Sequence, residues 1–217
     1  MSSPSVESRV ISLKRSQKRF NDTKILTLKH QNMEIFHAID YLNNPLFEQL
    51  RQKHKVNLTK GHAGCALSHI ILLQQFLESN HKYTIILEDD CIINHPLPIN
   101  NLQVEVMFKR IGVRNFRQVD ILFLTDRVNY NKYYQVTGGC GTEGYLVTRH
   151  GAQKILRSLI ELDHPIDLRL LAHVPNYDNI HALSTIYPKL SINAYHSKQV
   201  LVSMNDNNIS YVNGHID

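Results

Sequence analysis

The segment Tyr83-Thr84-Ile85-Ile86-Leu87 is a near-continuous apolar run that stops at three consecutive carboxylates, Glu88-Asp89-Asp90. A strand that is apolar on both sides of its pleat belongs inside a sheet covered by helices on each face. Val119–Leu124 repeats the pattern and stops at Thr125-Asp126. Helical signals alternate with these runs. Val10–Leu13 reads as a short strand, with Ser16 as N-cap of a helix to about Leu28. Met33–Ile39 reads as a second strand ending at Asp40, and Asn43-Asn44-Pro45 opens a helix to about Lys53. Gly61–Gly64 reads as a turn before a helix over Cys65–Glu78, which carries helical periodicity at Leu67, Ile70, Ile71, Gln74 and Leu77. Tyr130–Val136 alternates as an edge strand or hairpin, Gly138–Gly141 is a turn, and Thr142–Thr148 is a further strand. Helices follow over Gly151–Leu162 and from Pro165, with a late strand at Ala182–Ile186. Roughly the last 25 residues are turn-rich and loop-like.

This order predicts one α/β domain over residues 1–217, with an open, mostly parallel sheet and helices on both faces. Ligands of such sheets bind outside the carboxyl ends of the strands. Asp40, Glu88-Asp89-Asp90 and Asp126 therefore gather on one rim if their strands run parallel.

Three adjacent carboxylates repel one another and are driven toward protonation unless a positive charge offsets them. A divalent cation with hard oxygen ligands, Mn²⁺ or Mg²⁺, suits that role, taking one or two carboxylates and completing its shell with substrate phosphates. Lys14, Arg15 and Arg19, just after the first strand, are placed to meet a diphosphate. Basic groups at a helix start are unfavourable unless an anion lies close. The alternative for both groups is a solvated, ion-paired surface.

The net charge of +5 and pI near 9.1 favour anionic ligands. The basic residues are scattered rather than arranged in a stripe with aromatics, which argues against a nucleic-acid partner. Cys65, Cys91 and Cys140 are an odd number without close metal-ligand spacing, and read as free thiols of a reducing compartment. Met1–Glu7 lacks a signal-peptide core and no stretch approaches the ~20 apolar residues of a membrane span. The expected location is cytoplasmic, or the host cytoplasm for a viral protein, with any targeting or anchoring segment outside this chain.

Several segments in order resemble glycosyltransferase family 25. They are Val10-Ile-Ser-Leu-Lys-Arg with Arg19, Ala38-Ile39-Asp40, Gly64-Cys65-Ala66-Leu67-Ser68-His69, Ile86-Leu87-Glu88-Asp89-Asp90, Gly144–Thr148 with Gly151-Ala152, and Pro165-Ile166-Asp167. The resemblance implies a GT-A type fold with a Rossmann-like nucleotide-sugar half, a UDP-sugar donor, Mn²⁺ or Mg²⁺, and a glycan acceptor. It places Glu88 and Asp90 at the outer positions of the metal-binding Asp-x-Asp motif. Asp90 becomes the direct ligand, with Glu88 or Asp89 facing the ribose or donor sugar. It sets Ile11, Ser12, Arg15, Arg19 and Asp40 around the uridine, and Ser68 and His69 near the donor or pyrophosphate. One departure is Gly61-His62-Ala63, where family members usually carry an acidic residue before Gly-Cys. Compact chains of this kind also resemble glycosyltransferase domains of large DNA viruses that decorate their own capsids, and such a chain can be one domain of a longer protein.

Among catalytic candidates, Glu143 and Asp167 compete for the general base, and Asp89 stands with them. Asp167 also reads as a helix cap and His69 as a structural histidine. His196 is a candidate late metal or diphosphate ligand. Tyr130, Tyr133 and Tyr134 are candidates for stacking on a sugar. Two further functions share the acidic pattern or the fold: a metal-dependent phosphohydrolase or nucleotidyltransferase, and a glycan-binding module without chemistry.

Overall fold

The structure, a computed structural model, describes residues 6–30, 32–175 and 191–205. The strand expected at Ala182–Ile186 lies outside these residues. Six strands form the central sheet in the order β2 (Met33–His37), β1 (Glu7–Ser12), β3 (Tyr83–Glu88), β8 (Gly144–Thr148), β5 (Ile121–Phe123) and β9 (Ala194–His196). β1 runs parallel to β2 and β3, and β5 parallel to β9, while β8 is antiparallel to both of its neighbours. The mostly parallel sheet is therefore present with β8 as its reversed strand. Every residue of β8 is buried, so its burial pattern carries no direction.

Helices cover both faces because the strands are apolar on both. Ile86, Ile121, Phe123, Tyr145 and Val147 enter one core with α3 (Lys60–Glu78), α5 (Arg149–Ser158) and α6 (Ile166–Leu171). Ile85, Leu87, Leu122 and Leu146 enter a second core with Val104 and Phe108 of α4 (Asn101–Arg110). Helix α1 (Gln17–Lys29) links β1 to β2, and α2 (Phe47–Lys53) precedes α3. A hairpin of β6 (Val128–Tyr130) and β7 (Val136–Gly139) follows β5; a hairpin is among the expectations for Tyr130–Val136, but most of that run forms its loop, and Gly138 and Gly139, expected in a turn, lie in β7. β4 (Cys91–Ile93) and β10 (Val202–Met204) form a separate antiparallel pair. β9 and β10 thus lie in a stretch expected to be loop. Each has three residues, and its conformation comes from pairing with a distant strand rather than from local pattern.

Gly61–Gly64 is helical rather than a turn: α3 begins at Lys60. A Cβ on Gly64 would lie 2.5 Å from the Ile39 carbonyl oxygen. Here glycine permits close approach of a helix to the end of β2, a use that its sequence neighbours do not reveal. At the far end of α3, the Arg149 guanidinium donates to the carbonyls of Phe76, Leu77 and Ser79 at 3.1, 2.5 and 2.7 Å. These are groups that a helix C-terminus leaves without intrahelical partners.

Helix α5 is seated by Thr148, whose hydroxyl accepts from Gly151 N at 3.0 Å. A Cβ at Gly151 would fall 1.9 Å from the Asp120 carbonyl oxygen. Gly151→Ala is expected to lower unfolding free energy by about 2–3 kcal/mol, since backbone must shift to relieve the overlap. Urea denaturation checks this, and an unchanged midpoint would mean that α5 is free to move away.

Candidate active site

β2 and β3 lie on opposite sides of β1, so the chain reverses its direction of travel across the sheet at β1. The crevice outside the carboxyl ends of strands at such a reversal is where ligands of open α/β sheets bind. A pocket of about 100 Å³ sits there, walled by the ends of β1 and β3, the segment after β2 and the first turns of α3. Of the residues expected around a donor, Ile11, Arg15, Arg19, Asp40, His69 and Glu88 line it, together with Asp89 and Asp90.

The three carboxylates meet three different surroundings. Asp89 accepts from Ser12 Oγ at 2.8 Å and from Leu13 N at 3.2 Å, and is paired with Arg19. Its side chain is 5% exposed. Burial pushes its carboxyl up, against the pull of Arg19 and of the bonds from Ser12 and Leu13, and the net shift is upward. Asp89 thereby ties the β1–α1 turn to the end of β3. It also explains a basic residue in the first turn of α1: the anion beside Arg19 belongs to the protein.

Glu88 is held by a buried chain. Its Oε1 accepts from Thr142 Oγ1 at 2.5 Å and faces His69 Nε2 at 3.3 Å. His69 Nδ1 lies 2.8 Å from the hydroxyl of Tyr145, on which its ring stacks. With a carboxylate opposite, Nε2 carries the proton and Nδ1 accepts from tyrosine. Burial pushes Glu88 up, but His69, Thr142 and Arg19 outweigh it and hold the carboxyl below its usual value.

Asp90 has the least support. Arg19 approaches its Oδ2 at 3.3 Å, while Oδ1 is buried without a hydrogen-bond partner. Burial, with the charge of Glu88, pushes its carboxyl up to about 6. A buried carboxylate oxygen with no donor, beside a second carboxylate, is what a hard divalent cation would satisfy. The residues present therefore fit the implied Mn²⁺ or Mg²⁺ at Asp90 and Glu88.

Arg15, Asp40 and Tyr41 form another wall of the pocket. Arg15 Nε donates to Asp40 Oδ1 at 3.1 Å and its guanidinium lies over the Tyr41 ring at 5.2 Å. Asp40 also accepts from Leu42 N and Asn43 Nδ2, which locks the turn after β2. Ser12 and Ser68 stand behind the wall rather than in it; both are fully buried. Ser68 Oγ donates to the Gly64 carbonyl at 2.7 Å and accepts from Ile39 N at 2.8 Å, fastening α3 to the segment after β2.

A second acidic group adjoins the first through the segment before β8. Thr142 contacts Glu88, Gly141 N donates to Asp167 Oδ2 at 3.1 Å, and Glu143 is bonded to Thr125. Glu143 is buried, with Arg127 Nη1 at 3.6 Å, and burial pushes its carboxyl up against the Thr125 bond. Asp167 is partly exposed and also accepts from Leu168 N. His196 lies at the edge of the sheet. Its Nε2 is 2.8 Å from the Thr125 carbonyl oxygen, and its ring stacks on Tyr130 at 4.1 Å. It does not line the pocket. Tyr130 is also stacked with Tyr134, and Tyr133 is exposed beside Lys132. Sequence reasoning did not assign roles here to Thr142, Tyr145, Tyr41 or Arg127. Thr142, Tyr145 and Arg127 act from elements remote in sequence from the residues they support, so no spacing announces them, whereas Tyr41 directly follows Asp40 and is placed only by the fold.

The profile of Glycosyltransferase family 25 (LPS biosynthesis protein) matches residues 6–170. The chain belongs to glycosyltransferase family 25. The family match spans the whole pocket together with Glu143 and Asp167, and stops before β9 and His196. A putative glycosyltransferase of Haemophilus influenzae is 30% identical over 172 residues, covering 73% of this chain. The chain spans 59% of that relative's length. A solved glycosyltransferase involved in glycosylation of the major capsid of PBCV-1 aligns over 98% of both chains, with 9% identity and a TM-score of 0.47.

The different surroundings of adjacent carboxylates predict opposite effects on stability. Asp89→Ala leaves the Ser12 hydroxyl, Leu13 N–H and Arg19 short of an acceptor and is expected to cost about 2–3 kcal/mol. Asp90→Asn removes a poorly supported charge and is expected to leave the unfolding midpoint unchanged or raised. Denaturant titration of both variants without divalent ions distinguishes them, and a larger loss at Asp90 would reverse these roles.

Proposed function

We propose that this chain transfers a sugar from a UDP-sugar to a hydroxyl of a glycan, with Mn²⁺ or Mg²⁺ held by Asp90 and Glu88. The observation that carries the reading is the buried, unpartnered Oδ1 of Asp90 in a pocket at the reversal point of the sheet. Arg15, Tyr41 and Ile11 would receive the nucleoside, while Asp40 holds Arg15 and the turn in place. Arg19, pinned between Asp89 and Asp90, supplies a fixed positive charge near the diphosphate. When bound, the divalent ion adds charge neutralisation for the leaving diphosphate.

The base that takes the proton of the acceptor hydroxyl must be reachable from solvent and close to the donor. Asp167 meets the first condition better than Glu143, which is 2% exposed. Gly141 N orients the Asp167 carboxylate, and the adjoining Thr142 reaches Glu88, so one short segment connects base and donor pocket. Glu143 would position this segment and Arg127 rather than take the proton.

Calorimetric titration with UDP should show binding in Mn²⁺ that is lost or sharply weakened in EDTA, and Asp90→Ala should lose both metal-dependent binding and transfer. Failure to bind UDP in either condition would remove the donor assignment. Phosphate release from nucleotides without an acceptor would favour a phosphohydrolase instead. Asp167→Asn is expected to lower kcat by about 10²–10⁴ with UDP binding retained. Near-normal kcat in that variant, with Glu143→Gln inactive, would transfer the role of base to Glu143.

A further inference from the structure

Cys65 and His69 are four residues apart on α3, so both side chains emerge on one face of the helix. That face meets the end of β3. The Cys65 thiol, a His69 ring nitrogen and a Glu88 carboxylate oxygen all lie within 4.8 Å of one another. All three residues line the pocket. We propose that they form a second metal site in the pocket floor, chemically distinct from the oxygen-only pair Asp90 and Glu88, that takes a soft divalent cation such as Zn²⁺ or Cd²⁺.

The donor set decides the preference. Thiolate and imidazole select zinc-like ions, whereas carboxylate, phosphate and water suit Mg²⁺ and Mn²⁺. In a tetrahedral zinc site, bond lengths of about 2.0–2.3 Å put neighbouring ligand atoms about 3.5 Å apart. His69 Nε2 and Glu88 Oε1 already stand at 3.3 Å. The thiol reaches bonding distance by a side-chain adjustment of about an ångström, on the same bond lengths.

Each remaining ligand has a partner that orients it, as metal ligands require. Thr142 holds the Glu88 oxygen, and the Tyr145 hydroxyl holds His69 Nδ1. For Nε2 to bind a metal, the ring proton moves to Nδ1 and the tyrosine oxygen accepts it, a reversal that a hydroxyl allows. Cys65 enters as thiolate and its proton leaves to solvent. The fourth position faces the pocket and is open to water or to an anion.

Glu88 is common to both donor sets. A soft ion in the floor would share Glu88 with an ion held at Asp90 and compete for it. Zn²⁺ and Cd²⁺ would therefore inhibit by occupying a site of their own rather than by replacing Mn²⁺. The site follows from ligand geometry and does not depend on the identity of the donor.

The test is direct metal binding. EDTA-stripped, dialysed protein is titrated with Cd²⁺ in thiol-free, anaerobic buffer while the ultraviolet cadmium–thiolate absorption is followed. A saturable band at one ion per chain is expected in the native protein and in the Cys91→Ser/Cys140→Ser double variant, and none in Cys65→Ser. Tyr145→Phe should keep the band but weaken binding about tenfold or more. In the native chain, which needs no variant to fold, Cd²⁺ should slow alkylation of Cys65 while leaving that of Cys140 unchanged, read by peptide mass spectrometry. No saturable band, a band that survives Cys65→Ser, or unslowed alkylation of Cys65 at saturating Cd²⁺ would each overturn the site. Loss of UDP binding in Mn²⁺ with cadmium binding intact would count against the donor assignment alone.

Discussion

Three adjacent carboxylates at the end of a buried strand cannot all stay ionised in one environment without separate compensation. Glu88, Asp89 and Asp90 are carried out of a fully buried strand into the same small volume, where like charges close together are costly. The fold resolves this by giving each carboxylate a separate fate. Glu88 is absorbed into the chain of Thr142, His69 and Tyr145, and Asp89 into the turn formed by Ser12, Leu13 and Arg19. Asp90 keeps the far side of Arg19 and its own backbone N–H, and its Oδ1 is left without a partner. The uneven division leaves one buried carboxylate oxygen, Asp90 Oδ1, without a hydrogen-bond partner.

The surrounding elements follow from that division. β1 lies between β2 and β3, so the first turn of α1, which follows β1, brings Arg19 to Asp89 and Asp90. α3 must pass close enough to β2 and β3 for His69 to reach Glu88. Its approach is set by Gly64 against the Ile39 carbonyl and by the two hydrogen bonds of Ser68. β8, reversed in the sheet, begins at the rim where its neighbours end. The residues just before it, Gly141, Thr142 and Glu143, therefore enter the site from the other side. The sheet supplies both a pocket wall and the segment that links it to Asp167.

Arg19 and Ser68 show that site residues and structural residues are not separate populations here. Both were expected near the ligand. Arg19 lines the pocket and also balances two carboxylates, whereas Ser68 shapes the pocket from behind without reaching it. His69 is structural and functional at once. It is fully buried, which supports the reading of a satisfied core histidine, yet it lines the pocket and, with Thr142 and Arg19, offsets the burial of Glu88.

By itself the sequence determined the layered α/β architecture, the rim on which carboxylates collect and the family. These depend on local signals: apolar runs that end in charge, helical periodicity, and short motifs in order. Sequence also singled out Arg15, Arg19, Asp40, Glu88 and Asp90, from carboxylates that end an apolar run and from the motifs shared with the family. It did not determine the helical state of Gly61–Gly64, the reversed direction of β8, or the short strands β9 and β10. A glycine used for close packing looks like one used for a turn, and a strand buried on both faces has no polarity in its pattern. Nor could sequence divide the three carboxylates among their partners. That decision rests on Thr142, His69 and Tyr145 around Glu88 and on Ser12, Leu13 and Arg19 around Asp89, brought in from other elements, and on how much water each carboxylate loses when the chain closes over it.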